Sequence, residues 1–281
     1  MKIRKAERRN AKIKLALQGP SGSGKTYSAL QIAKGLTDLS KVVVIDTENH
    51  SADLYSHIGS FNVLGISKPF SPEKYTQAIN DCVNEGMEVI IIDSLSHEWE
   101  GEGGILDIHG QMPGNSFTNW SKVTPRHNAV VQTILNANAH IIATFRTKQD
   151  YVLTDKNGKM VPEKVGLKSI TRDGMDYEFT IVLDLDIAHH CSASKDRTGL
   201  FVNEPSFKAS QETGEKISSW CNEGELSIEQ QINQITQLEK LKDLYYDLDV
   251  ETRAQYHSLF TRRQLDLQPK FQSNGVSNIH G

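Results

Sequence analysis

The sequence predicts an α/β fold built on a mainly parallel sheet. Short apolar runs alternate with helix-patterned segments over the first 145 or so residues, and a glycine-rich turn joins the first run directly to the first helix. Ile13–Gln18 reads as a buried strand that enters Gly19–Thr26, after which Ala29, Ile32, Ala33 and Leu36 recur at helical spacing. Lys41–Thr47 is a β-branched strand and Phe61–Ile66 a short one. Ser71 caps a helix with Pro72 at its first position, running to Glu85 and stopped by Gly86. Glu88–Asp93 is another strong strand. Residues 100–119, rich in Gly, Asn, Ser and Pro, read as a long loop. Thr124 and Pro125 then open a helix carrying Val130, Val131, Ile134 and Leu135, and His140–Phe145 is again a strand.

Beyond that point the alternation ends. Tyr151–Leu153 and Met160–Val161 flank Asn157-Gly158, a hairpin signal. Glu178–Asp186 and His189–Ser194 read as a late antiparallel pair. Ser227 with Gln230 forms a capping box before the stripe Ile228, Ile232, Ile235 and Leu238, and a second helix covers 250–265. The expected organisation is a basic segment 1–12, a core 13–222, a C-terminal helical hairpin 223–267 as appendage, and a polar, disordered tail 268–281.

A chain of 281 residues can bury its own core without disulfides or metal. Its net charge of −4 argues against a generally basic nucleic-acid coat, although residues 1–14 hold seven Lys/Arg and one acid. Cys82, Cys191 and Cys221 lie far apart and form neither a disulfide framework nor a zinc pattern. His189 and Cys191 could share one face of a strand, which alone is a weak metal signal. The basic N-terminus has no apolar region behind it, and no run approaches membrane-spanning length. A soluble, cytoplasmic protein without a membrane role is expected.

The segment Gly19-Pro20-Ser21-Gly22-Ser23-Gly24-Lys25-Thr26 fits the G-x-x-x-x-G-K-[ST] phosphate loop, in the strand–loop–helix setting this motif requires. Its glycines let backbone N–H groups approach phosphate oxygens, and the following helix N-terminus adds partial positive charge. Lys25 is the candidate for the β- and γ-phosphates, and the Thr26 hydroxyl is a candidate Mg²⁺ ligand. Nucleoside triphosphate binding follows. Val89-Ile-Ile-Ile-Asp93 is an apolar strand ending in a carboxylate, which makes Asp93 the second Mg²⁺ candidate. Ser94 follows it, so a different carboxylate must act on water. Glu48, just past the strand ending at Asp46, is the first candidate, and Glu98 is the alternative.

These residues resemble the RecA core. The resemblance runs through the phosphate loop, Ile45-Asp-Thr-Glu-Asn-His-Ser-Ala-Asp53, Ile90-Ile-Ile-Asp-Ser94 and the strand after Asn138-Ala-His140. It is closer to short phage-encoded RecA-like ATPases, often described as AAA family and grouped with single-strand annealing proteins, and covers about residues 11–205. Further matching segments are Asp93-Ser-Leu-Ser-His-Glu-Trp-Glu-Gly101, Thr144–Lys148, Arg172–Phe179 and Ser194-Lys-Asp-Arg197. The resemblance implies a RecA-like fold, ATP and Mg²⁺ as ligands, and Glu48 as catalytic glutamate. It implies action on single-stranded DNA in a bacterial or phage-infected cell, and assembly into a ring or filament. RecA has Asn-Gln at its fourth core strand end; Phe145-Arg146 stands there here, with Arg146 in the sensor position. Lys195 and Arg197 resemble the cations that relatives insert beside the γ-phosphate of a neighbouring subunit.

In RecA-like proteins two loops contact DNA, corresponding to about 100–119 and 147–175. The second carries Lys148, Lys156, Lys159, Lys164, Lys168 and Arg172 with Tyr151 as a stacking surface, although Asp150, Asp155, Glu163 and Asp173 dilute the charge. The C-terminal helices are a candidate surface for a protein partner. Two other readings compete: a nucleotide-gated assembly or signalling ATPase of KaiC type without DNA, and a small-molecule kinase. No lid-like arginine cluster supports the kinase.

Overall fold

The computed structural model describes residues 11–156, 159–223 and 228–267, with the side chains of 150–165 and 230 outside that description. The basic segment up to residue 10, the Asn157-Gly158 turn, the Ser227/Gln230 capping box and the tail from 268 fall outside the described residues. Internal contacts divide the chain into two units, one ending at Glu223 and the other beginning at Gly224.

The first unit is a mixed α/β structure. Its strands are β1 (Lys14–Gly19), β2 (Val42–Asp46), β3 (Asn62–Gly65), β4 (Val89–Asp93), β5 (His140–Lys156), β6 (Lys159–Ser169), β7 (Ile181–Leu185) and β8 (Cys191–Asp196). The sheet order is β3-β2-β4-β5-β1-β7-β8, with β6 paired to β5 alone. All pairs from β3 to β7 along this path are parallel, whereas β5–β6 and β7–β8 are antiparallel. β2 and β4 are buried along their whole length, as sheets covered on both faces require.

One face is covered by α2 (Pro72–Asn84) and α5 (Ser116–Asn136), with Tyr75, Ile79, Val130 and Ile134 meeting Ile90, Ile92 and Ile141. The other is covered by α1 (Lys25–Leu36) and α6 (Gln211–Asn222), with Leu30, Ile32 and Ile217 meeting Leu15, Val44 and Ile91. α1 and α6 touch backbone to backbone. A Cβ on Gly35 would lie 2.0 Å from the Gln211 carbonyl oxygen, and one on Gly214 would lie 2.0 Å from that of Ile32.

In this unit three expectations need correction. Residues 100–119 are not a loop: they contain α4 (Ile105–Gln111) and the start of α5, and a short helix α3 (Ser96–Glu100) precedes them. α5 opens at Ser116, where the Asn115 side chain accepts the Phe117 N–H at 2.8 Å, rather than at Thr124. Pro125 lies inside α5 on its exposed side. The buried stripe continues upstream through polar Asn119 and His127, which hides it from a hydrophobicity reading. Lys195 belongs to β8 opposite Val182, because the strand extends past Ser194 to Asp196.

Among the described residues the second unit contains three helices instead of a hairpin: α7 (Ile228–Gln234), α8 (Leu238–Asp247) and α9 (Val250–Leu267). Ile232, Leu241 and Phe260 form their shared core. Among the described residues no helix is long and apolar enough to cross a membrane.

Candidate functional site

The carboxyl ends of β1, β2 and β4 converge on one crevice with the Thr144–Arg146 stretch of β5, and the strand order explains why. β5 lies between the strand that carries the glycine loop and the strand that ends in Asp93, and β2 flanks Asp93 on its other side.

β1 runs into the loop at Gly19, and Gly24 caps α1 with φ of 84°. That left-handed backbone favours glycine. A Cβ there would also lie 3.0 Å from the His189 Nδ1 of the β7–β8 turn. A Cβ on Gly19 would lie 2.6 Å from both the Leu185 carbonyl oxygen and the Ser23 Oγ. Pro20 and Ser21 span the loop; the Ser23 N–H donates to the Pro20 carbonyl at 3.2 Å. The Ser23 hydroxyl is fully buried and has no hydrogen-bond partner among the described residues. The Lys25 ammonium donates to the carbonyls of Gly19 and Pro20, each at 2.9 Å. Burial lowers its pKa; the Asp93 and Glu48 carboxylates oppose that shift, and Arg146 reinforces it.

Asp93 is 2% exposed and binds a hydroxyl through each oxygen: Thr26 at 2.5 Å and Thr144 at 2.6 Å. Burial raises its pKa, and the two hydroxyl bonds work against that. Thr26 and Asp93 therefore present a hydroxyl and a carboxylate oxygen together, a donor set suited to a hard divalent cation. Asp46 shapes the next segment by accepting the N–H groups of Glu48 at 2.6 Å and Ala52 at 2.8 Å. This turn brings Glu48 towards β5, where Arg146 Nε and a terminal guanidinium nitrogen both donate to its Oε1, at 3.0 and 2.8 Å. Ser96 Oγ accepts the Arg146 backbone N–H at 3.0 Å, which ties α3 to the same place.

Glu98 has a different environment. It is 1% exposed, and both its oxygens contact the His127 Nδ1 at 3.0–3.1 Å. Burial raises its pKa, with His127 opposing. Lys195 donates to the carbonyls of Asp176 and Tyr177 at 2.8 and 2.6 Å, and Arg197 to that of Tyr177 at 3.1 Å. Within one chain both cations brace this exposed turn. Lys148, Lys168 and Arg172 line one cleft together. The side chains of Tyr151, Lys156, Lys159 and Lys164 lie outside the described set.

Sequence reading missed Thr144, Thr47, His97 and His189 as neighbours of the crevice. Thr47 Oγ1 accepts the Ser94 N–H at 2.8 Å and sits 2.8 Å from the His97 Nδ1. The available signal was a hydroxyl residue at the end of each of two apolar strands. His189 gave none, because it reaches Gly24 through a turn 165 residues away in sequence.

A glycine loop opening a helix, with a strand-end aspartate bonded to that helix's first hydroxyl, defines a P-loop nucleotide-binding ATPase domain. A family model described as an AAA domain matches residues 11–212, most of the chain, and the protein belongs to that family. Such a domain implies binding of a nucleotide and usually of Mg²⁺. No curated protein matches the sequence.

Proposed function

We propose that the protein is a RecA-like ATPase that hydrolyses ATP with Mg²⁺ and acts on single-stranded DNA in phage-type recombination or annealing. The observation that carries this reading is the Glu48–Arg146 pair, with Glu48 just past the end of β2 and Arg146 where β5 leaves the parallel sheet, β2 and β5 being the two strands that flank β4. Lys25 and the loop N–H groups hold the triphosphate. Thr26 and Asp93 would hold Mg²⁺, which would neutralise charge on the phosphates. Glu48 takes the proton from the attacking water, and Arg146 fixes the direction of its carboxylate. Glu98, sealed against His127, is the poorer base because solvent water does not reach it. Lys195 and Arg197 act across a homo-oligomer interface in this proposal, leaving the Tyr177 carbonyl for the neighbour's γ-phosphate and making hydrolysis depend on assembly.

Binding of an oligo-dT probe, measured with and without an ATP analogue over a salt series, tests the reading. Binding that needs nucleotide and weakens with salt is expected, because phosphate contacts release counterions. ATP hydrolysis without any binding at low salt would favour the DNA-free assembly ATPase instead.

A further inference from the structure

A second cleft, of about 570 Å³, has Trp99, Trp120, Lys148, Lys168, Ser169 and Arg172 on its walls. The two indoles come from α3 and α5 and stack with centroids 5.9 Å apart and planes 20° from parallel. His109 of α4 also stacks with Trp120, at 4.2 Å and 22°. The column is held from behind by His127, edge-on to Trp99 at 5.4 Å and bonded to buried Glu98. Neither Trp99 nor Trp120 is buried, so this aromatic column keeps accessible surface.

The ribbon's contribution to the cleft is cationic in an unfavourable way. Lys148 and Lys168 stand directly across from each other on the β5–β6 ribbon. Like charges at such positions destabilise a pair of strands. Asp173 compensates Lys168 at 2.7 Å, whereas Lys148 and Arg172 form no ion pair among the described residues. Glu100 and Asp173 also line the cleft, so its net charge is modest. Thr171 also lines the cleft, whereas the Ser169 hydroxyl is taken up by donation to Gln18 Oε1.

From this juxtaposition we infer that the Trp99–Trp120 cleft is a base-stacking site for single-stranded DNA, with a nucleobase against the indole column and its phosphates on Lys148 and Arg172. The inference rests on the single-strand reading above and adds where, and by which chemistry, the strand is held. The volume suits a nucleotide unit. A flat aromatic face with cations opposite holds any base without reading its sequence. The aromatic component therefore comes from α3, α4 and α5 rather than from Tyr151 of the ribbon.

The test uses the full-length protein, fluorescein-labelled oligo-dT, and an abasic phosphodiester strand of the same length. Trp120→Leu should weaken oligo-dT binding roughly 5- to 150-fold, the value of one stacked base, while leaving the abasic strand's affinity unchanged. Lys148→Ala and Arg172→Ala should weaken both strands and each lower the salt slope by about 0.7. Oligo-dT should also quench the intrinsic tryptophan emission, and circular dichroism checks folding of each variant. Should Trp120→Leu misfold, Arg172→Ala and quenching in the unaltered protein still decide. Binding of oligo-dT without quenching, and with full affinity in folded Trp120→Leu, would overturn the stacking site while leaving the single-strand reading intact. Absence of any binding by the unaltered protein at low salt would end both.

Discussion

β1 begins and ends with a lysine environment, and the two differ in what surrounds them. At its amino end Lys14 donates to the carbonyls of Ala137 and Ala139 at 2.8 and 2.7 Å; just past its carboxyl end Lys25 donates to those of Gly19 and Pro20 at 2.9 Å. Burial lowers the pKa of both, that of Lys14 to about 8. The likeness stops there. Around Lys14 the next ionisable groups are Lys12 and the neutral acceptor His140, whose Nδ1 receives the Ile13 N–H at 3.2 Å. Around Lys25 are Asp93, Glu48 and Arg146, paired with one another and with hydroxyls at the rim of a crevice. A buried cation spent on fixed backbone of a neighbouring segment is a fastener. One resting on its own glycine loop, beside carboxylates, is placed to exchange those carbonyls for phosphate oxygens.

The largest expected effect separates these lysines. Lys25→Ala should abolish ATP hydrolysis and weaken triphosphate binding with little change in melting temperature, because the transferring phosphoryl charge loses its partner. Lys14→Met should do the reverse: turnover per folded molecule stays, and stability falls by about 1–3 kcal/mol as two buried carbonyls lose a donor. Turnover assays beside thermal melts decide, and full activity in folded Lys25→Ala protein would collapse the distinction.

A smaller effect compares the two glutamates. Glu48→Gln should keep ATP binding and lose at least ~10² in single-turnover rate, the low end for removing a general base. Glu98→Gln should keep most of the rate, since an amide can still bond His127. The opposite ranking would move the base to Glu98.

The smallest effect is the pH response of the amino end. Burial lowers the His140 pKa from 6.5 to about 4. The folded protein therefore resists protonation there while the unfolded chain accepts it, so this contribution to stability is complete above pH 6.5 and is lost as the pH falls to about 4. The contribution is on the order of 3 kcal/mol. Denaturant midpoints for His140→Gln should show a flatter acid limb over that window, and an unchanged limb would remove His140 from the account.

Legibility in the sequence followed contiguity. The parallel strands, the loop Gly19–Thr26 and the strand ending in Asp93 could be read because each signal sits within eight residues. Glu48 was read as a candidate from its strand end, yet its bond to Arg146 joins positions 98 residues apart. α5 was read too short because Asn119 and His127 occupy its buried stripe, and α4 was lost behind the glycines that precede it, of which Gly104 is its N-cap. α6 lies in a polar stretch whose packing depends on Gly214 meeting Gly35, which no periodicity reports. The tryptophan cleft draws on α3, α4, α5 and the ribbon at once, so its aromatic wall was invisible while its lysines were read singly.

The strand order has a consequence for aggregation. Sheet margins invite further strands unless they are blunted. On one flank β3 is only four residues long, and Asn62 at its start turns its side-chain amide onto the carbonyls of Ser40 and Val42, at 2.9 and 3.0 Å. On the other flank β8 is bulged against β7, and Cys191 exchanges both backbone hydrogen bonds with Phe207, at 2.6 and 3.0 Å. From Thr147 onward β5 pairs only with β6, which leaves this ribbon with two long, open margins among the described residues. Lateral growth by strand addition is thereby steered to the ribbon and kept away from the layer that holds the nucleotide loop.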